Sequence, residues 1–251
     1  MKHSRLIIAA AVALSAMLGI GAASAADLPM KALPAAAPAF SWTGCYVGVH
    51  AGAGVLHDQG YQQQLLAGDR HGVGGLAGGQ IGCNYQTGML VLGIEGEGFW
   101  SGMTVTADQF GGINGNTLLS TFRIKNKWDY DVAGRFGIAV DRALIYGKAG
   151  WVFGGFDWNY ATTNGNYSNQ ASATLDGLLI GVGLEYAFTN NWTAKFEYNY
   201  MGFNAKNVRF TDYCADCNGS TFTQNVSADK HIFKVGINYL FNAAAPVVAK
   251  Y

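Results

Sequence analysis

Proline is missing from the whole stretch between Phe40 and Ala245; Pro29, Pro34 and Pro38 precede it and Pro246 follows it. Proline has no N–H to give to a sheet ladder and is kept out of central strands. Its absence over such a length suits an architecture in which every backbone donor is paired. Charge is scarce too: 13% of the residues are Asp, Glu, Lys or Arg against 50% hydrophobic, and the formal net charge is +0. So even a balance leaves no basic footprint for nucleic acid, and so few charges cover a soluble surface of this size poorly. Long apolar runs are also lacking. The run Leu6 to Ile20 falls short of the roughly 20 residues that a spanning helix needs, and no later segment reaches that length without a polar or charged interruption. If the chain enters a membrane, it does so without helices.

What the first residues do contain is an export pattern. Lys2 and Arg5 precede the apolar run, and Ala23-Ser24-Ala25 follows it with the small-x-small spacing of a cleavage site. Residues 1–25 therefore read as a signal peptide with the mature chain starting at Ala26. The Ala/Pro-rich residues 26–40 read as a periplasmic linker, 41–241 as a single body, and 242–251 as a disordered C-terminal tail.

Within that body, period two dominates. Eight segments alternate, the first over Trp42 to Ala53, with Cys45, Val47 and Val49 on one face and Tyr46, Gly48 and His50 on the other. The others run Val73 to Gln86, Met89 to Trp100, Lys127 to Val140, Leu144 to Phe153, Leu175 to Phe188, Trp192 to Phe203 and Lys230 to Phe241. One face is apolar throughout; the other carries glycine and charge. Connections alternate as well. "QTGM", "DRA" and "TNN" are tight, whereas the breaks near 55–72, 101–126, 154–174 and 204–229 are long and polar. The pattern predicts an all-β, eight-stranded antiparallel up-and-down transmembrane β-barrel with periplasmic turns and extracellular loops. Gly60, Gly112, Asn164 and Asn218 would then lie outside the cell, and Thr87, Asp141 and Asn190 in periplasmic turns.

Periodicity alone does not say which face points outward. A soluble eight-stranded barrel would turn the apolar face in and the charges out. Two features favour the inverted arrangement. Trp42, Tyr85, Trp128, Trp151, Trp192, Tyr239 and Phe241 fall near segment ends, where membrane barrels keep their aromatic girdles. Glycines on the polar face, Gly82 and Gly183 among them, leave room in a narrow lumen for long side chains from the opposite wall.

"SWTGCYVGVHAGAG", "GGLAGGQIGCNYQ", "LVLGIEGEGFWSG", "GLLIGVGLEYAFTNNWTAKFEYNYMG" and "HIFKVGINYLF" resemble the porin-family outer-membrane β-barrel surface proteins of rhizobia and their relatives, small OmpA/OmpX-like barrels. The resemblance covers the mature chain and implies an eight-stranded barrel in the outer membrane of a Gram-negative cell, without a defined activity. It also implies that the last strand, ending on Tyr239 and Phe241, is the signal read by the barrel-assembly machinery. Here "NAAAPVVAKY" follows it, where such barrels usually stop.

The charges expected in the lumen are Glu95, Glu97, Asp129, Asp131, Glu185 and Glu197 against Lys127, Arg135, Lys148, Lys195 and Lys234. Charges inside a narrow barrel must be paired, so the leading reading is a structural ion-pair network; a catalytic Glu95/Glu97 pair is the sharper one. His50 on the lumen face could serve as a base, but no Ser/His/acid spacing accompanies it. Cys45 and Cys83 share the lipid-face parity on neighbouring segments, and a register setting them opposite would permit a disulfide; two free thiols are the alternative. Cys214 and Cys217 lie in a loop with no second such motif to complete a zinc site, and in an exported chain they read as a local disulfide. No cofactor and no metal site is expected. Outer-membrane lipid and lipopolysaccharide are the expected surroundings, with an unidentified extracellular ligand for the loops. Three functions remain: a non-enzymatic envelope protein with surface-loop interactions, a small-solute diffusion channel, and an outer-membrane lipid-modifying enzyme.

Overall fold

The computed structural model of the chain describes residues 40–58, 71–111, 117–217 and 219–241. The expected signal peptide, residues 26–39 of the linker and the tail 242–251 lie outside the described residues, as do Gly60, Gly112 and Asn218. Among the described residues nine strands follow one another: β1 (Gly44–Asp58), β2 (His71–Thr87), β3 (Leu90–Ser101), β4 (Thr104–Gly111), β5 (Thr117–Val140), β6 (Ala143–Thr162), β7 (Tyr167–Ala187), β8 (Trp192–Cys214) and β9 (Thr221–Phe241). Among the described residues no helix is long and apolar enough to cross a membrane.

All pairings are antiparallel, in the order β3-β2-β1-β9-β8-β7-β6-β5-β4, and β3 also pairs with β5, which closes the sheet into a ring. β3 and β4 share one place in it. Trp100 of β3 pairs with Trp128 and Thr104 of β4 with Lys125, so β4 resumes along β5 where β3 stops. The break at Gly102 and Met103 is bridged by backbone bonds from Gly102 N to Gly75 O (2.9 Å) and from Asn126 N to Met103 O (3.0 Å). Nine strands therefore fill the eight positions that the alternation predicts. At one end of the ring the turns are tight: Gly88 (φ 59°) and Asp141 (φ 52°) adopt the left-handed conformation that short hairpins require. We call this the short-turn end.

From the short-turn end to about mid-height the apolar face points outward. Ile81 is 64% exposed, and Val132, Ile145, Val182 and Val235 are exposed beside it, while Glu95, Arg135 and Lys195 are buried inside. Trp192, Tyr239 and Phe241 pack in a row at the lower margin, with ring centroids 5.1 and 5.0 Å apart. Trp128, Tyr130 and Phe153 stack at the upper margin, with centroids 5.6 and 4.9 Å apart.

Above that margin the polarity reverses. Met103, Val105, Phe122, Ile124, Phe156, Trp158, Val208 and Phe210 all turn inward and are buried in one cluster. Arg123, Lys125, Asn159, Gln170, Asn207 and Arg209 alternate with them and face water. The upper barrel is built like a soluble one. Bulges make part of this switch: on β5 the register slips between Asn126 and Trp128, and on β8 between Phe203 and Lys206, each exchanging inward and outward parity.

Three expectations need correction. The long polar breaks at 101–126, 154–174 and 204–229 are largely strand, because their polar residues alternate with apolar ones that fill the upper interior. Lys127 is not in the lumen: it is the extra residue of the β5 bulge, points outward, and pairs with Asp157 at 2.6 Å. Trp42 is not in the girdle. It is 1% exposed, with the inward parity of Tyr46, and plugs the short-turn end with Leu144, Tyr146 and Ala187, its ring 5.1 Å from that of Phe40.

Candidate functional site

Between the lower plug and the upper apolar cluster lies a layer of charge to which six strands contribute. Inward parity on β3 brings Glu95 and Glu97 to it, β5 Arg135, β6 Lys148, β7 Glu185, β8 Lys195 and Glu197, and β9 Lys234. The side chains of Lys148, Lys195, Lys234, Glu95, Glu97 and Glu197 are wholly shielded from solvent. Lys148 donates to Glu95 at 3.2 Å and to Glu97 at 2.8 Å, and lies 2.9 Å from Glu197. Lys195 donates to Glu97 at 2.8 Å and to Glu95 at 3.3 Å. Lys234 contacts Glu97 and lies 3.0 Å from Glu197.

Arg135 joins this knot to a fourth carboxylate. Its Nη2 donates to Glu185 at 2.7 Å, its guanidinium stacks 3.9 Å from the centre of the Tyr146 ring, and its Nη1 contacts the Tyr46 hydroxyl. Tyr46 in turn donates to Glu95, and Tyr146 to Glu197, each at 2.7 Å. Glycine makes room for both phenols. A Cβ at Gly82 would come within 2.4 Å of the Tyr46 hydroxyl, and one at Gly183 within 2.4 Å of the Tyr146 ring. Asn238 donates to Glu185 at 2.7 Å, Gln80 to Asn238 at 2.7 Å, and His50 Nδ1 lies 2.6 Å from Gln80 Oε1. His50 is thus held by an amide rather than by an acid.

Sequence reasoning missed Lys230. It is fully buried at the top of the charged layer, contacts Asp129, donates to Asn126 at 3.2 Å, and lies 4.7 Å from the centre of the Phe203 ring. Its parity matches that of Lys234, which was the signal available. Asp131, expected to be paired, is buried with no hydrogen-bond partner for either oxygen among the described residues.

Glu95, Glu97 and Glu197 converge closely enough for one metal ion to touch all three. Three lysine ammonium groups already lie among them, so the positive charge that such a cage would recruit is supplied by the chain. Cys45 is paired with Cys83 in the β1–β2 register and bonded to it, and Cys214 is bonded to Cys217 at the β8–β9 tip.

A closed antiparallel ring with an apolar belt, two aromatic margins and a charged interior is the architecture of a membrane-spanning barrel. The family model for the outer-membrane protein beta-barrel domain matches residues 12–241. The chain belongs to that family. It is an outer-membrane protein. A 31 kDa outer-membrane immunogenic protein of Brucella melitensis is 33% identical over 256 residues, covering 93% of this chain and 97% of its own. A 22 kDa outer membrane protein of Rhizobium leguminosarum bv. viciae is 32% identical, over 81% of this chain and 80% of its own. Among solved structures, a major outer membrane protein from Thermus thermophilus overlays with a TM-score of 0.49 at 13% identity, over 78% of this chain and 99% of that one.

Proposed function

We propose that the protein is a closed, non-enzymatic outer-membrane barrel that strengthens the envelope and carries stiff polar arms outward. The observation that carries this reading is the filled lumen. Four cations and four carboxylates interlock across it, an apolar cluster closes it above, and Trp42 and Phe40 close it below. A ring of about eight strands encloses little more than its own side chains, and here they occupy the space. A catalytic role for Glu95 and Glu97 would require substrate to reach carboxylates that are wholly shielded and bound to lysine. A diffusion channel would require a water path through two apolar layers.

The outer wall supports lipopolysaccharide as a partner. Arg123, Lys125 and Lys127 project outward in succession along β5, directly above Trp128 at the upper aromatic margin, where the phosphate groups of the outer leaflet lie. Tyr239 and Phe241 at the end of β9, beside the Cys45 end of β1, fit a signal for the barrel-assembly machinery. The Brucella relative is named for its immunogenicity, in keeping with arms that reach the cell's surroundings and take part in surface interactions.

Reconstitution tests the closed reading. Purified protein in planar bilayers should give no large, persistent conductance, and vesicles containing it should not swell in small sugars. Reproducible open channels accompanied by sugar-driven swelling would replace this reading with the diffusion channel.

A further inference from the structure

We propose that His57, Asp229 and His231 form a zinc site on the outer wall of the barrel, where the extracellular end of β1 lies against the middle of β9. His57 is paired with Asp229 in the β1–β9 register, and His231 stands two residues along β9 on the same face. The ladder itself therefore sets the spacing. His57 Nδ1 is 3.2 Å from Asp229 Oδ2, and His231 Nε2 is 3.6 Å from the same oxygen. One donor atom from each of the three lies within 4.8 Å of the other two. Two ligands of a tetrahedral zinc ion, each about 2.1 Å from the metal, are about 3.4 Å apart, close to the spacings already present.

The chemistry of the set points the same way. Two imidazoles converge on a single carboxylate oxygen. Two neutral imidazoles and a carboxylate are a borderline N,N,O donor set that suits zinc better than calcium or magnesium. The Tyr198 hydroxyl lies 2.7 Å from His231 Nδ1, which orients the ring with Nε2 toward Asp229, the kind of outer-shell support that metal-binding histidines receive. Asp229 is sheltered, while both histidine side chains are 40% exposed, which leaves an approach from water and a coordination position for it. The site lies where the outward apolar row of β9, ending at Phe233, gives way to polar residues. It differs from the lumen cage of Glu95, Glu97 and Glu197 in having no lysine among its ligands.

The test uses the untagged full-length mature chain, stripped with chelator and held in detergent micelles at neutral pH. Titration with zinc should show one ion bound per chain, and cobalt(II) in its place should give the visible absorption of a four-coordinate ion. His57→Gln, His231→Gln and Asp229→Asn should each weaken zinc binding at least ~tenfold and abolish the cobalt bands, with folding checked by heat-modifiable migration on gels. His57 faces water, so His57→Gln keeps the test open should His231→Gln fail to fold. Absence of zinc binding by the wild type, or unchanged binding by folded His57→Gln, would overturn the site.

Discussion

Lys195 and Asp131 lie in the same shielded layer, yet loss of charge should affect the protein differently at each. Lys195 holds Glu95 and Glu97, so Lys195→Ala leaves two carboxylates short of a partner. Breaking one side of a buried pair costs on the order of 3–5 kcal/mol. Asp131 has no hydrogen-bond partner among the described residues, and burying a neutral amide costs less than burying a carboxylate whose oxygens accept no hydrogen bond. Asp131→Asn should therefore leave urea unfolding in lipid vesicles unchanged or shift it to higher urea, whereas Lys195→Ala should shift it sharply downward. Gly183→Ala belongs with Lys195. Its new methyl would drive the Tyr146 ring off Glu197, and overpacking of this kind costs about 1–3 kcal/mol. The same unfolding midpoint, measured for Gly183→Ala and for Gly134→Ala, where the nearest atom is 3.9 Å away, separates crowding from a general cost of losing glycine. Most of this layer could be read from alternation, since Glu95, Glu97, Lys148, Glu185 and Lys234 each sit at the polar-face parity of their lower segment. Lys127 could not, because a bulge is a fault in the period that parity reasoning assumes. The roles of Tyr46 and Tyr146 were hidden for another reason: a phenol on a polar face does not reveal which carboxylate across the barrel it will reach.

The strands were legible in their lower halves and misjudged above. Val208 and Phe210 alternate with Asn207 and Arg209, and Phe156 and Trp158 with Asp157 and Asn159, as clearly as any membrane segment does. Their polarity is that of a soluble sheet, apolar inward, so a search for one outward apolar face takes them for loop. The tight turns at Thr87, Asp141 and Asn190 were readable because short hairpins have restricted turn chemistry. They give a test of direction. Single cysteines introduced at Asn164 and Asp141, in a background lacking the native cysteines, should differ on intact cells: an impermeant thiol reagent should label Asn164, in the β6–β7 turn, and spare Asp141. Labelling of Asp141 but not Asn164 would invert the protein in the membrane.

For the whole molecule, ring closure and the apolar belt were anticipated, while the division into an inverted lower half and a conventional upper half was not, because it depends on where the bilayer ends rather than on local pattern. That boundary also governs contact with the outer leaflet. Replacing Arg123, Lys125 and Lys127 together with glutamine should lower retention of lipopolysaccharide during purification several-fold and leave heat-modifiable migration intact, since all three face away from the interior. Equal retention by the triple variant would remove these residues from any lipid contact.

The upper half of the barrel also sets a height. β8 continues from Phe203 to Cys214 beyond the membrane margin, and at roughly 3.3 Å per residue this is a stalk of about 35 Å along the strand, braced on one flank by β9 and filled by Phe210 and Val226. A tip carried on such a mast does not sweep a volume as a tethered loop would. A short peptide inserted between Ala215 and Asp216 should therefore be presented at a fixed distance from the cell surface, clear of the sugar brush nearest the lipid and accessible to objects too large to penetrate it.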